Sequence, residues 1–511
     1  MKFKKSKLFS LLSVGVATLG IALTSTSCSN FSVDVDQELP TDDPTREVKI
    51  VFWHCLGQEN ERTLQSITDE FNAKYDGKYE VVLQKLGGSY DELHNQVTTK
   101  ISGNEVPALA MGYPDSSAEY ITTDVNQSFL LRLDNFINDP EFGYTKEELD
   151  DFVDEYLDEG KHYQFEGTWS MPMYKSTEIM YYNVNYFNGE NAQTQAVLGS
   201  DATYQELLAD VEGDQNIPNQ EHLDALKEYV DEHGGYTYEV PTTWDEMMSL
   251  GQQMLADRKE TNTTTEFFPI GYDSDSNMMI SQFAQRGIEY TKVTSEGEAY
   301  SEHFQFNTPE AKAFVTEVTG KIREGVFITK NSLGGNTYTN TYFNDGRAAM
   351  VIGSSAGSDY NVSANFAVGL APVPYYGETP KYIMQGPSIC FFNNEDPYIH
   401  KGAWLYYKHL ADPKTNAILA LQNSYNPVRD SSYETDEYKQ YISYAGRGNL
   451  AYDIPAATRG LREYYMTSPV FFGSSTARTE IGNIISYVSM VGMPVDTAFT
   501  TAINNCNRAG Q

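Results

Sequence analysis

"VKIVFWHCLGQENERTLQSITDEFNAKYDGKYEVVLQKLGG", residues 48–88, sets the fold class. Its opening, Val48 to Cys55, is an apolar run of strand length, suited to a strand covered on both faces. Beyond Gln58 the period changes, and Leu64, Ile67, Phe71 and Tyr75 recur at helical spacing. A second strand spans 79–86, and Gly87-Gly88 turns the chain. Ser89-x-x-Glu92 is a capping box opening a helix over 89–104, with Leu93, Val97 and Ile101 on one face. "VPALAMGY" (106–113) is a third strand. The order βαβαβ builds an open parallel sheet with helices on both sides. Such sheets bind ligands beyond the carboxyl ends of their strands, which nominates Trp53, His54, Tyr90 and the segment from Tyr113 to Asp115. Trp53 and His54 read equally well as core.

Upstream, Lys2, Lys4, Lys5 and Lys7 precede an apolar stretch from Leu8 to Leu23 and then small residues, the order of a secretory signal peptide over 1–27. Cys28 follows directly, where a lipoprotein carries its diacylglyceryl group. Ser25 stands where that pattern usually has an aliphatic residue, so an uncleaved anchor is the alternative. Either reading puts residues 29–511 on the outer face of a membrane. Residues 28–46 are polar, acidic and interrupted by proline, and read as a flexible tether of at most roughly 60 Å at about 3.3–3.6 Å per residue.

Without residues 1–27 the chain holds 32 basic against 71 acidic side chains, a balance of −39. Such a surface repels nucleic acid, which is excluded as a partner. Cys55, Cys390 and Cys506 read as structural thiols, with a Cys55 to Cys390 bridge left open. Neither a metal-ligand spacing nor a cofactor fingerprint is present, so no metal and no cofactor is expected. A nucleophile elbow and a phosphate-binding loop are also missing, which argues against an enzyme. A glycan-cleaving enzyme and a surface adhesin stand as the alternatives in other functional classes.

Further along, residues 189–239 resemble an insertion, helical from Gln220 to Glu232. Thr243-x-x-Glu246 caps a helix, and Thr308-Pro309 starts another. Apolar strands are expected within 267–272, 340–359, 366–374 and 385–392, with helices around 397–410 and 414–422.

"FWHCLGQENERTLQSITDEFN", "GNEVPALAMGY", "MPMYKSTEIMYYNVNYF", "PTTWDEMMSLGQQM", "YFNDGRAAMVIGSS", "VGLAPVP" and "LQNSYNPVRD" together resemble the extracellular solute-binding proteins of ABC importers, in the sugar-binding group. The resemblance implies a periplasmic-binding-protein-like α/β fold: two discontinuous lobes with open, mainly parallel sheets, joined by hinge strands around a ligand cleft. It implies lobe 1 over 47–157 and 309–360, and lobe 2 over 158–308 and 361–511, with crossings near 156–166, 305–312 and 358–366. It also implies a monomeric receptor that captures a small polar solute and hands it to a membrane permease. "FWHCLGQE", "GGSYDE", "KSTEIMYYN" and "QGPSI" are most similar to the glycerol-3-phosphate-binding branch. Carried over residue by residue, that branch's contacts fall on Tyr90, Ser176, Ser355, Gly386 and Tyr425. Two departures oppose a phosphate: Pro114 replaces an acidic cleft residue, with Asp115 next to it, and the clamping arginine is matched only by Arg478, out of register. A neutral oligosaccharide, or a glycerol-3-phosphate-like solute, is the expected ligand.

Overall fold

The computed structural model describes residues 35–43, 45–121, 128–213, 219–295, 298–422 and 424–510. The signal-like segment 1–27 and the expected lipidation point Cys28 lie outside the described residues. Among the described residues twelve strands are assigned: β1 Val48–His54, β2 Tyr79–Lys85, β3 Leu109–Gly112, β4 Met171–Pro172, β5 Glu178–Asn183, β6 Ile270–Tyr272, β7 Phe327–Thr329, β8 Met350–Ser354, β9 Val368–Ala371, β10 Tyr382–Ile383, β11 Ser388–Phe391 and β12 Tyr465–Met466.

β1, β2 and β3 pair in parallel, as their apolar runs imply, with the helix Gln58–Lys74 between the first two. Leu64, Ile67 and Phe71 of that helix are buried, so the helical period is also the packing face. The next helix, Tyr90–Ser102, is capped by Ser89, whose hydroxyl accepts from the Glu92 N–H at 3.2 Å. The Glu92 carboxylate reaches back to the N–H of Gly88 at 2.7 Å, one residue earlier than a regular capping box.

Two five-stranded sheets result, ordered β2-β1-β3-β11-β4 and β7-β6-β8-β5-β9, and β10 pairs with β12 in a separate two-stranded one. Each five-stranded sheet has three parallel strands extended by two antiparallel pairings, so these sheets are mixed rather than mainly parallel. The fold is two α/β lobes built on these two sheets.

Strand pairing corrects the expected lobe membership. β7 and β8, within 309–360, belong to the second sheet beside β6, and β11, within 361–511, belongs to the first beside β3. The chain crosses between lobes at Met173–Thr177 and returns at Met384–Pro387, not near 156–166, 305–312 or 358–366. These two crossings lie side by side: the Ser176 N–H donates to the Gln385 carbonyl at 2.9 Å, and the Gln385 N–H returns a bond at 2.8 Å. Asn426 pairs with Lys175 on the other side. An apolar strand carries no mark of the sheet it joins, so only its non-local partners decide this.

The expected tether is also corrected. Val35 is buried, and the Arg132 N–H donates to its carbonyl at 3.0 Å. Asp36 pairs with Arg132, Asp42 with Lys401 at 2.7 Å, and Arg46 with Asp396. Acidic side chains that would keep a free segment solvated here find basic partners on the first lobe.

The insertion over 189–239 forms three helices, Ala192–Leu198, Ala202–Gly213 and Gln220–Glu232. They share a small separate core of Leu198, Tyr204, Val211, Leu223, Leu226 and Val230. Cys55, Cys390 and Cys506 are free and buried, and burial raises each thiol to about 12.

Candidate ligand-binding cleft

Between the lobes lies a cleft of about 1400 Å³. The first lobe contributes Tyr90, Asp91, His94 and Asn95 from the helix Tyr90–Ser102, and Asp115, Ser116 and Glu119 from the helix Pro114–Ile121 that follows β3. Opposite, the second lobe presents Asp273, Ser274 and Asn277 after β6, Lys330 and Tyr338 after β7, Ser354 at the end of β8, and Gly357, Tyr360 and Asn361 after it. Glu178 and Gln385 form the floor at the crossings. The helix Ser474–Ser489 closes one side with Ser475, Arg478 and Glu480.

This helix packs against Pro114–Ile121 of the first lobe and Asp275–Gln285 of the second. Arg478 bonds in both directions: to the Asp115 carboxylate at 3.4 Å and to the Asn277 side-chain oxygen. Asn277 donates to Glu178 at 3.0 Å, and the Tyr272 hydroxyl donates to the same carboxylate at 2.5 Å. A polar chain therefore runs from one lobe through the floor to the other. Burial raises the Glu178 carboxyl to about 7 against those donors, and burial also raises Asp115 and Asp273. At the first-lobe rim, His94 faces Glu119 at 3.2 Å, and Ser475 bonds to the other oxygen of that carboxylate.

Behind the floor the hinge is buried. Lys175 is fully buried and pairs with Glu159, and its ammonium donates to the Ser388 hydroxyl at 3.0 Å and the Gly386 carbonyl at 3.3 Å. Gly386 has φ +99°, and a Cβ there would come within 2.5 Å of the Tyr174 carbonyl oxygen. Only glycine fits a left-handed position that close to a neighbouring backbone.

A model of the bacterial extracellular solute-binding protein family matches residues 66–446. The chain belongs to that family. Among curated protein sequences none matches it. Solved structures match over nearly the whole chain at low identity. The cyclic alpha-maltosyl-1,6-maltose binding protein of Arthrobacter globiformis is 16% identical with a TM-score of 0.61, covering 91% of this chain and 99% of that one. UgpB of Mycobacterium tuberculosis, solved with glycerophosphocholine, is 16% identical with a TM-score of 0.62, covering 91% and 98%. The substrate-binding protein Lmo0181 of Listeria monocytogenes, solved with cycloalternan, is 14% identical with a TM-score of 0.62, covering 91% and 99%. At such identities the likeness establishes the fold. The family is one of receptors rather than enzymes, and its members act outside the cytoplasm.

In this solute-binding protein, Tyr90, Asp115 and Arg478 line the cleft as the sequence suggests, although the Arg478 guanidinium is engaged by Asp115 and Asn277. Trp53 and His54 do not reach it. Trp53 is buried in the first-lobe core with its indole N–H on Gln84 at 2.9 Å, and His54 is fully buried, accepting from the Leu56 N–H at 3.3 Å. The end of β1 is itself covered, since Cys55 and Leu56 after it are also buried. Ser176, Ser355 and Gly386 belong to the hinge: Ser355 and Thr177 exchange backbone and side-chain bonds at 2.8 and 3.3 Å. Tyr425 packs against Tyr174 with ring centroids 4.3 Å apart and the rings tilted by 43°, next to the floor. Sequence reading missed Glu178, Asp273, Asn277, Tyr338, Tyr360, Asn361, Gln385 and Glu480. The strand-end rule had a usable signal in the second lobe, because "DSDS" follows β6 directly.

Proposed function

We propose that this protein is the lipid-anchored receptor of an ABC importer, held to the outer face of the membrane through Cys28. It captures an oligosaccharide by closure of its two lobes and delivers it to a permease. The observation that carries this reading is the cleft. Its volume of about 1400 Å³ exceeds the roughly 300–1,000 Å³ of pockets for drug-sized ligands. A glycerol phosphate would leave most of it unfilled. The walls offer hydroxyls, amides and carboxylates that bond sugar hydroxyls. They also offer exposed tyrosine faces at Tyr338 and Tyr360, which are 51% and 72% accessible. The structural likeness to a cyclic alpha-maltosyl-1,6-maltose binding protein and to a protein solved in complex with cycloalternan supports the same class of ligand. A bound solute touching both lobes stabilises the closed arrangement that a transporter senses.

The test is a thermal-shift screen of a soluble form starting at residue 29, against linear and cyclic maltooligosaccharides, glycerol-3-phosphate and glycerophosphocholine. A sugar at about 100 times its dissociation constant adds roughly 2.7 kcal/mol of stability. Tyr90→Ala is expected to abolish the shift while the ligand-free melting temperature stays within a few degrees. A shift with glycerol-3-phosphate and none with sugars overturns the oligosaccharide reading.

A further inference from the structure

The charges in the cleft do not balance. Among the described lining residues, Asp91, Asp115, Glu119, Glu178, Asp273 and Glu480 face His94, Lys330 and Arg478. Among the basic groups Arg478 and His94 are already paired, and among the acids Asp115, Glu119, Glu178, Asp273 and Glu480 each accept bonds from protein donors. Arg478 is shared by Asp115 and Asn277, and His94 is bonded to Glu119. Lys330 lies over the Tyr338 ring, 4.1 Å from its centroid, and donates to that hydroxyl at 3.0 Å. Lys330 is thus the one basic group of this set without a carboxylate partner among the described residues, against six carboxylates.

A second observation concerns acceptors. Asn361 is 2% exposed and lines the cleft, and its amide is oriented by donation to the Gly357 carbonyl at 2.9 Å. Its side-chain oxygen is buried and has no partner among the described residues, which is a costly arrangement unless a ligand or water donates to it. The Gln385 side-chain oxygen on the floor is in the same condition. The cleft is thus rich in acceptors and negative charge, and its ligand must bring donors.

We infer that the cleft is selective for a positively charged, donor-rich solute: an oligosaccharide bearing free, protonated amino groups, bound through ammonium to carboxylate contacts. The assignment rests on the saccharide reading above and narrows its substrate class. A neutral sugar supplies hydroxyl donors but leaves the excess charge in place, whereas a cation offsets it. Burial already holds the Glu178 carboxyl at about 7, with Tyr272, Asp273, Asn277 and Arg478 around it. A cation in the cleft draws that group toward its ionised form. The long-range field acts in the same sense, since a chain with 71 acidic side chains attracts cationic solutes and repels phosphates.

The experiment is calorimetric titration with glucosamine tetramer, its fully N-acetylated counterpart, maltotetraose and spermidine, each at about 20 mM and about 500 mM salt, to separate screened from unscreened attraction. The expected result is that glucosamine tetramer binds about tenfold tighter than either neutral tetrasaccharide at low salt, with the gap closing at high salt. Equal or tighter binding of a neutral tetramer overturns the charge selectivity and leaves the saccharide reading standing. Binding of spermidine with no binding of any sugar overturns the saccharide reading and the amino-sugar assignment with it. Failure of all four to bind overturns both.

Discussion

Two ion pairs sit a short way apart in this molecule and live under opposite conditions. Lys175 and Glu159, at the hinge, are 0% and 5% exposed, whereas Arg478 and Asp115, in the cleft wall, are 29% and 17% exposed. The hinge pair has lost its water and is held by a network of backbone and hydroxyl partners. The cleft pair keeps contact with solvent and links a first-lobe helix to the helix that closes the side of the cleft. A desolvated pair cannot be broken cheaply, because either charge left alone stays buried. A partly solvated one can, because water takes the place of the lost partner. The fold therefore puts its desolvated pair at the crossings between the lobes and its partly solvated one in the cleft wall.

The sharpest way to break this comparison is Lys175→Met. It strands Glu159 without its cation, and the expected loss is about 3–5 kcal/mol in urea denaturation. A loss below about 1 kcal/mol would mean that the hinge pair is no more of a fastening than the cleft pair.

Glu178 stands between the two settings, on a strand leaving the hinge but facing the cleft. Its pKa in the fold, about 7, lies above the ordinary 4.5. Protons are thus held more tightly in the folded state, and stability falls as pH rises from about 4.5 to about 7, then levels off. Glu178→Gln is expected to be more stable than the parent at pH 8, by up to about 3 kcal/mol, with no advantage at pH 4. Asp275, which burial also raises to about 7, keeps part of the slope in the variant. Thermal melts across that range check the sign. The smallest effect is expected for Arg478→Ala, a loss of about 1 kcal/mol or less in the ligand-free protein. A loss as large as that of Lys175→Met would show that the cleft pair is also a fixed part of the fold.

Elements whose cause is local were legible in the sequence. The three strands and two helices from Val48 to Gly112 follow from apolar period and from the cap at Ser89. Thr243 and Thr308 cap the helices that follow them, as their spacing announces. What is decided by distant partners was not legible. β8 reads as a buried strand, but only its pairing with β5 and β6 gives it to the second lobe. The candidate site divides the same way. Tyr90 and Asp115 are placed by the first turns of helices after β2 and β3, and are found by the strand-end rule. Glu178 owes its place in the cleft to the crossing between the two sheets, and nothing in its own neighbourhood marks it. Trp53 and His54 show that rule failing where the loop after a strand folds back and covers its end.

The docked N-terminal segment would shorten the mooring of a receptor anchored as proposed. With residues from Val35 onward fixed to the first lobe, a lipid on Cys28 would leave seven residue steps to the membrane, at most about 25 Å at 3.3–3.6 Å per residue. On so short a mooring the first lobe would stay beside the bilayer. The search for a permease would become a sweep across the membrane plane, at an effective concentration that a longer leash would dilute.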